Sequence, residues 1–164
     1  SLPNHVADAR PATLFPGAVS SAYAYVPGTG YASAESLEVG KGYWVKLGAD
    51  HTVSWEGDPV AAETLSLQAG WNLVGAVATP VAVGAITCDP PGMVTSPFFS
   101  YAGSYALEDT LRPGKGYWVK LAAPGTVFIT PGATIGAREG LRVVPETDVS
   151  PPVVRRRRSP TGGQ

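Results

Sequence analysis

Apolar residues recur at every second position in short runs along this chain, the period that sends side chains alternately to the two faces of a strand. In Ala22-Tyr23-Ala24-Tyr25 the two tyrosines share a face, and Phe99 and Tyr101 do the same in Phe98-Phe99-Ser100-Tyr101. Each run leads through a Gly-containing loop, Val26 to Gly30 or Ala102 to Ser104, into a return strand, Tyr31 to Leu37 or Tyr105 to Leu111. Loops of that length and composition between alternating runs predict hairpins. Turns at Val39-Gly40 and Pro113-Gly114 then open the octapeptide Gly40-Lys41-Gly42-Tyr43-Trp44-Val45-Lys46-Leu47 and its unchanged copy, Gly114 to Leu121. In the first copy Tyr43, Val45 and Leu47 make one apolar face, and Gly42, Trp44 and Lys46 make the other. Tyr117, Val119 and Leu121 stand against Gly116, Trp118 and Lys120 in the same way. The apolar face is expected to enter a core. On the other, the indole is expected to lie back over the glycine, with the lysine stem along the ring.

Downstream the pattern continues in parallel. Residues 48–50 and 122–125 are turns into alternating runs, where Val53 and Trp55 correspond to Val127 and Ile129. Thr64 to Val74 reads as a strand pair or one long bent strand with Gly70 at the bend. Thr134 to Val144 matches it at a spacing of 70, keeping the Thr, the next aliphatic, the Gly and the closing aliphatic pair. Upstream of the hairpins, Val6 to Arg10 and Val81 to Ile86 each predict a helical turn. One unit written twice accounts for all of this, and such periodicity is the signature of repeat architecture. The expected fold is all-β, with two pseudo-repeated small antiparallel barrel or sandwich units of about five strands each. The first spans 1–74 and the second 75–144. Residues 145–164 are Pro-rich, polar and aperiodic, and are expected to be a disordered linker.

Composition supports frequent turns: 20 Gly and 16 Pro among 164 residues leave little room for long helices. The net charge of −1 hides an asymmetry, because Arg155 to Arg158 hold four of the twelve basic groups. Residues 1–154 carry 8 basic against 13 acidic groups, a net of −5, which argues against a nucleic-acid surface. Cys88 stands alone, so no internal disulfide framework or cysteine-based metal site is expected. No apolar run reaches the length of a membrane span, and Ser1-Leu2-Pro3 has neither an initiator Met nor a signal-peptide pattern. A piece of a longer chain is the expectation.

Catalytic chemistry has little to build on. His5 and His51 occupy non-equivalent places in the repeat, and a metal site or a Ser-His-Asp arrangement needs several converging groups. Glu35, Glu108 and Asp109 fall on return strands, where polar residues on a wet face suffice as an explanation. Gly28-Thr29-Gly30 lies in a hairpin turn rather than before a helix, so it is not a phosphate loop. The arginine run suits a solvated, protease-sensitive tail. What remains are aromatic side chains on strands: Trp44, Trp118, Tyr31 and Tyr105 are the binding candidates, either as platforms for a sugar ring or as packing that seals a sheet. No cofactor, metal or catalytic residue is predicted.

Gly70-Trp71-Asn72-Leu73-Val74, the hairpin Phe99 to Tyr105, and Leu111-Arg112-Pro113-Gly114-Lys115-Gly116-Tyr117-Trp118-Val119 together resemble a family of β-rich repeats. Those repeats lie near the C-termini of large exported proteins of Bacteroidota and related bacteria, before a Pro-rich linker and a sorting domain for type IX secretion. The resemblance covers about residues 1–132. It implies an extracellular or cell-surface location and a non-catalytic structural or spacer role. The alternative is a carbohydrate- or surface-binding module using exposed Tyr and Trp. Expected partners are extracellular polysaccharide or neighbouring domains of the parent chain, with no nucleic acid and no membrane insertion.

Overall fold

The structure, a computed structural model, describes residues 1–50 and 52–132. The first part of the chain carries β1 (Asn4–His5), one helical turn α1 (Pro11–Leu14), the hairpin of β2 (Ala22–Val26) and β3 (Gly30–Ala34), β4 (Tyr43–Trp44) and β5 (Asp58–Pro59). Next come β6 (Glu63–Leu67), β7 (Gly70–Gly75), β8 (Val81–Ala82), a 3₁₀ turn at Val83–Ala85 and β9 (Thr87–Asp89). A second hairpin, β10 (Phe98–Tyr101) and β11 (Tyr105–Glu108), precedes β12 (Thr110–Leu111), β13 (Gly116–Leu121) and β14 (Gly125–Ile129).

All pairings are antiparallel. One sheet runs β11-β10-β13-β7, a second β6-β14-β9, and a third β3-β2-β4, with two-stranded pairs β1-β5 and β12-β8 beside them. The first two sheets enclose the larger core. Tyr117, Val119, Leu121, Val74 and Phe98 come from one side, and Leu65, Val127 and Ile129 from the other. The chain bends between these sheets twice, after β6 and after β13, so that β6 follows β14 while β7 follows β13. At the first bend Gly70 takes φ +87, a left-handed conformation that a side chain opposes. Asn72 holds that bend from inside. Its Nδ2 donates to the carbonyls of Gln68 at 2.8 Å and Gly70 at 3.0 Å, and its Oδ1 accepts from the Gln68 amide at 3.2 Å. A buried amide with both ends engaged is stable where an unpaired one is not. A smaller cluster of Leu2, Leu14, Ala22 and Leu37 lies under the β2-β3-β4 sheet.

The two octapeptides make the same local bonds. The Tyr43 hydroxyl accepts from the Glu38 amide at 2.8 Å, and the Tyr117 hydroxyl from the Arg112 amide at 2.7 Å. Each tyrosine thus reaches back to the turn that precedes its strand, where Gly40 and Gly114 take φ +76 and +80. The Lys46 amide donates to Ser20 Oγ at 2.9 Å and the Lys120 amide to Ser96 Oγ at 2.8 Å. The Lys46 carbonyl accepts from Val19 and the Lys120 carbonyl from Thr95.

Several expectations change. The fold is all-β and antiparallel, but among the described residues no sheet closes into a barrel; the strands are two to six residues long, and turns interrupt every ladder before it can return to its start. The bent pair that contains Thr64 to Val74 has its ladders with segments that follow it in the chain, β6 with β14 and β7 with β13. In β7 the side chains of Asn72 and Val74 are buried while Trp71 and Leu73 are half-buried, because the core side is set by Tyr117 and Val119 across the ladder. Val53 and Trp55 lie in irregular backbone rather than on a strand, and Trp55 packs edge-on against Phe15 at 5.9 Å. The first helical turn starts at Pro11 instead of stopping before it; Pro suits a first helical position, where no amide bond is needed. His51, Thr134 to Val144, the linker at 145–164 and its arginine run lie outside the described residues.

Candidate functional site

β13 is buried on both faces, Tyr117, Val119 and Leu121 on one and Trp118 on the other. One face of β13 enters the core. The other presents Gly116, Trp118 and Lys120, with Leu73 and Phe99 directly across from Trp118 on the flanking strands. The first hairpin covers that indole. Tyr25 meets Trp118 edge-on at 4.8 Å and 72°, and Tyr31 and Trp71 approach it at 6.4 and 6.3 Å. The second hairpin returns the contact, since Tyr101 meets Trp44 at 5.0 Å and 71°. Within each hairpin the tyrosines pair across the strands, Tyr25 with Tyr31 at 5.5 Å and Tyr101 with Tyr105 at 5.0 Å. Edge-to-face contacts of this kind contribute about 0.5–1.5 kcal/mol each beyond the area they bury.

Backbone approaches backbone beside these rings. The Gly42 amide donates to the Leu73 carbonyl at 3.1 Å, the Gly75 amide to the Gly40 carbonyl at 2.8 Å, and Lys41 bridges Val74. A Cβ built on Gly42 would meet Leu73 Cγ at 2.7 Å and the Val74 carbonyl at 2.9 Å. On Gly116 it would meet Gly42 Cα at 3.4 Å. Leu73, not the indole, therefore fills the space over Gly42. β7 is held between the two octapeptides, paired along β13 and touching the start of the first copy.

The electrostatics follow from burial. The Tyr31 phenol is pushed up to about 12, first by burial and then by the facing Tyr105 and Tyr25 phenols. The Trp44 indole N–H works in the opposite sense, near enough to favour the phenolate but outside ordinary hydrogen-bond geometry. Tyr105 is also raised, by burial and by Tyr101. Burial raises the turn-clamping Tyr43 and Tyr117 as well, against the pull of the amides that donate to them.

All four aromatic candidates belong to this junction. Trp118 is only 1 % exposed, so its ring has no free face for a ligand. Trp44, Tyr31 and Tyr105 are half-buried. Tyr25, Tyr101, Trp71 and Leu73 share the junction and were not singled out from the sequence. That Tyr25 shares a face with Tyr23, and Tyr101 with Phe99, was legible, but which face met another sheet was not. At the rim, Tyr23 and Tyr101 are 39 % and 42 % exposed and Leu107 is 69 % exposed. Tyr23 pairs directly with Trp44 across the ladder, as Leu107 does with Phe99.

The polar candidates do not converge. Glu108 accepts from Ser100 Oγ at 2.6 Å within its own hairpin, Glu35 and Asp109 are exposed, and His5 is exposed on β1. Cys88 lies half-buried on β9, across from Val127. Gly28 takes φ +78 in the hairpin turn and Gly30 takes φ +100 where the turn enters β3, which accounts for both. Among the described residues no group of three or more His, Cys, Asp or Glu could hold a metal ion, and no helix is long and apolar enough to cross a membrane. No family model, curated protein or solved structure matches this chain.

Proposed function

We propose that this chain is a non-catalytic spacer module of a larger secreted or cell-surface protein, built from two pseudo-equivalent units that behave as one rigid body. The observation that carries the reading is the reciprocal junction: Tyr25 on Trp118 and Tyr101 on Trp44, with β7 held between the two octapeptides. A spacer has to keep distance, and units joined by aromatic packing and shared backbone bonds resist the bending that beads on a linker allow. Secretion and surface attachment rest on the resemblance of the GWNLV and GKGYWVK segments alone. Small-angle scattering of the chain and of a Tyr25→Ala/Tyr101→Ala double variant tests the rigidity. A single compact distance distribution that broadens in the variant is expected. If the parent chain already scatters as two independently moving bodies, the spacer reading fails.

A second reading has its own support. Tyr23 and Tyr101 are exposed rings that neighbour the half-buried Trp44, the first across the ladder and the second edge-on, an arrangement compatible with a sugar stacking at the rim. Pull-down on insoluble polysaccharides and a glycan array separate the two. Saturable retention lost in Tyr23→Ala favours the binding module, and no retention on any glycan leaves the spacer.

A further inference from the structure

Two identical octapeptides have unequal surroundings. Tyr117, Val119 and Leu121 are at most 1 % exposed, because β7 pairs along all six residues of β13 and β6 continues the cover along β14. Tyr43, Val45 and Leu47 are only half-buried, and just Tyr43–Trp44 forms a strand. Among the described residues β4 is the outer strand of its sheet. Backbone groups alternate in direction along a strand. Those of Lys46 are engaged on the β2 side, by Ser20 and Val19. Those of Val45 therefore face the other way, as do the groups that β13 turns to β7. The neighbouring Val53 and Trp55 lie in irregular backbone where Val127 and Ile129 form β14. The octapeptides are identical, so the difference lies in what covers each of them, and among the described residues no strand pairs along Tyr43–Leu47 as β7 does along β13.

We propose that the edge of Tyr43–Leu47 is a strand acceptor, and that its occupant is a bent strand pair of the Glu63–Gly75 kind supplied by another unit. The chemistry of the occupant is read from the interface already present: alternating apolar residues as in Leu65 and Leu67, a glycine bend with an asparagine to hold it, and an aliphatic residue at the Val74 position to enter the core. Strand addition of this type draws affinity from backbone bonds and selectivity from the alternate side chains. It also removes an exposed sheet edge. The proposal extends the spacer reading by naming how consecutive units join, each lending its closing strand pair to the next. It is tested by binding rather than by rigidity, so the two fail separately.

The test uses the full chain and two labelled synthetic peptides, one with the sequence of residues 63–75 and a scrambled control. Saturable binding of the first alone is expected, together with slowed amide exchange at Val45 and Leu47. Val45→Pro deletes one donor on the open edge and leaves the bonds to Ser20 and Val19 in place. It should weaken the peptide by about tenfold, with an unchanged thermal midpoint to show that the variant folds. Three results overturn the proposal: no saturable binding, equal binding of the scrambled peptide, or Val45 and Leu47 amides already protected in the chain without peptide.

Discussion

Gly42 and Gly116 occupy the same place in identical octapeptides, yet they face different neighbours. Leu73 Cγ and the Val74 carbonyl stand where a Cβ on Gly42 would go, and a carbonyl in a paired ladder cannot step aside. Gly42→Ala should therefore destabilise the fold by about 1–3 kcal/mol. Around Gly116 the contacts are at 3.4 Å and beyond, so Gly116→Ala should stay within about 0.5 kcal/mol of the parent. Urea melts of the two variants check this, and equal losses would contradict the geometry. Tyr117 offers a second contrast at the same scale. Its ring is buried, and its hydroxyl serves the Arg112 amide. Tyr117→Phe keeps the ring and removes that acceptor, so a loss of about 1 kcal/mol is expected. A midpoint equal to the parent's would show that the amide finds another partner.

Among the elements, the two hairpins are tied to the octapeptide strands through phenols that burial keeps neutral. Tyr31 is raised to about 12, and Tyr105, Tyr43 and Tyr117 are raised in the same direction. A phenol whose folded pKa lies above its unfolded value near 10 stabilises the fold fully below that value. The stabilisation is lost as pH rises through the folded value. Alkaline unfolding is therefore expected to begin above about pH 10 and to run through the range in which Tyr31 ionises. Phenolate absorbance and circular dichroism should change together across that window, and Tyr31→Phe should move the onset upward. Ionisation of all seven tyrosines near pH 10 with the fold intact would remove the junction phenols from the account.

For the whole molecule, β7 and the reciprocal aromatic contacts link the β2-β3-β4 sheet to the larger core, so both should unfold together. One transition in denaturant, the same by tryptophan fluorescence and by circular dichroism, is expected. Tyr25→Ala/Tyr101→Ala should split it, with the sheet over the smaller cluster melting first, because Leu2, Leu14, Ala22 and Leu37 make a small core on their own. Separate transitions in the parent chain would mean that the junction transmits little.

Much of the strand content and the hairpins was legible from local pattern, because a two-residue period and turn residues act over a few neighbours. Tyr23 and Tyr25 on one face, Gly28 in the turn, and the bend at Gly70 all came from the residues themselves. So did the aromatic candidates, though not their role. Whether Trp118 stands in water or under Tyr25 depends on a hairpin about ninety residues away, and no local rule reports that distance. Tertiary structure likewise decided the partner of Thr64 to Val74. Its pattern specifies a bent strand pair, but the octapeptide before it and the one after it are identical. The choice fell to the packed ladder of β7 on β13 and β6 on β14, where Val74 and Leu65 reach one core. The same identity makes the unequal burial of Tyr43 and Tyr117 a property of what lies across each edge, which sequence alone could not express.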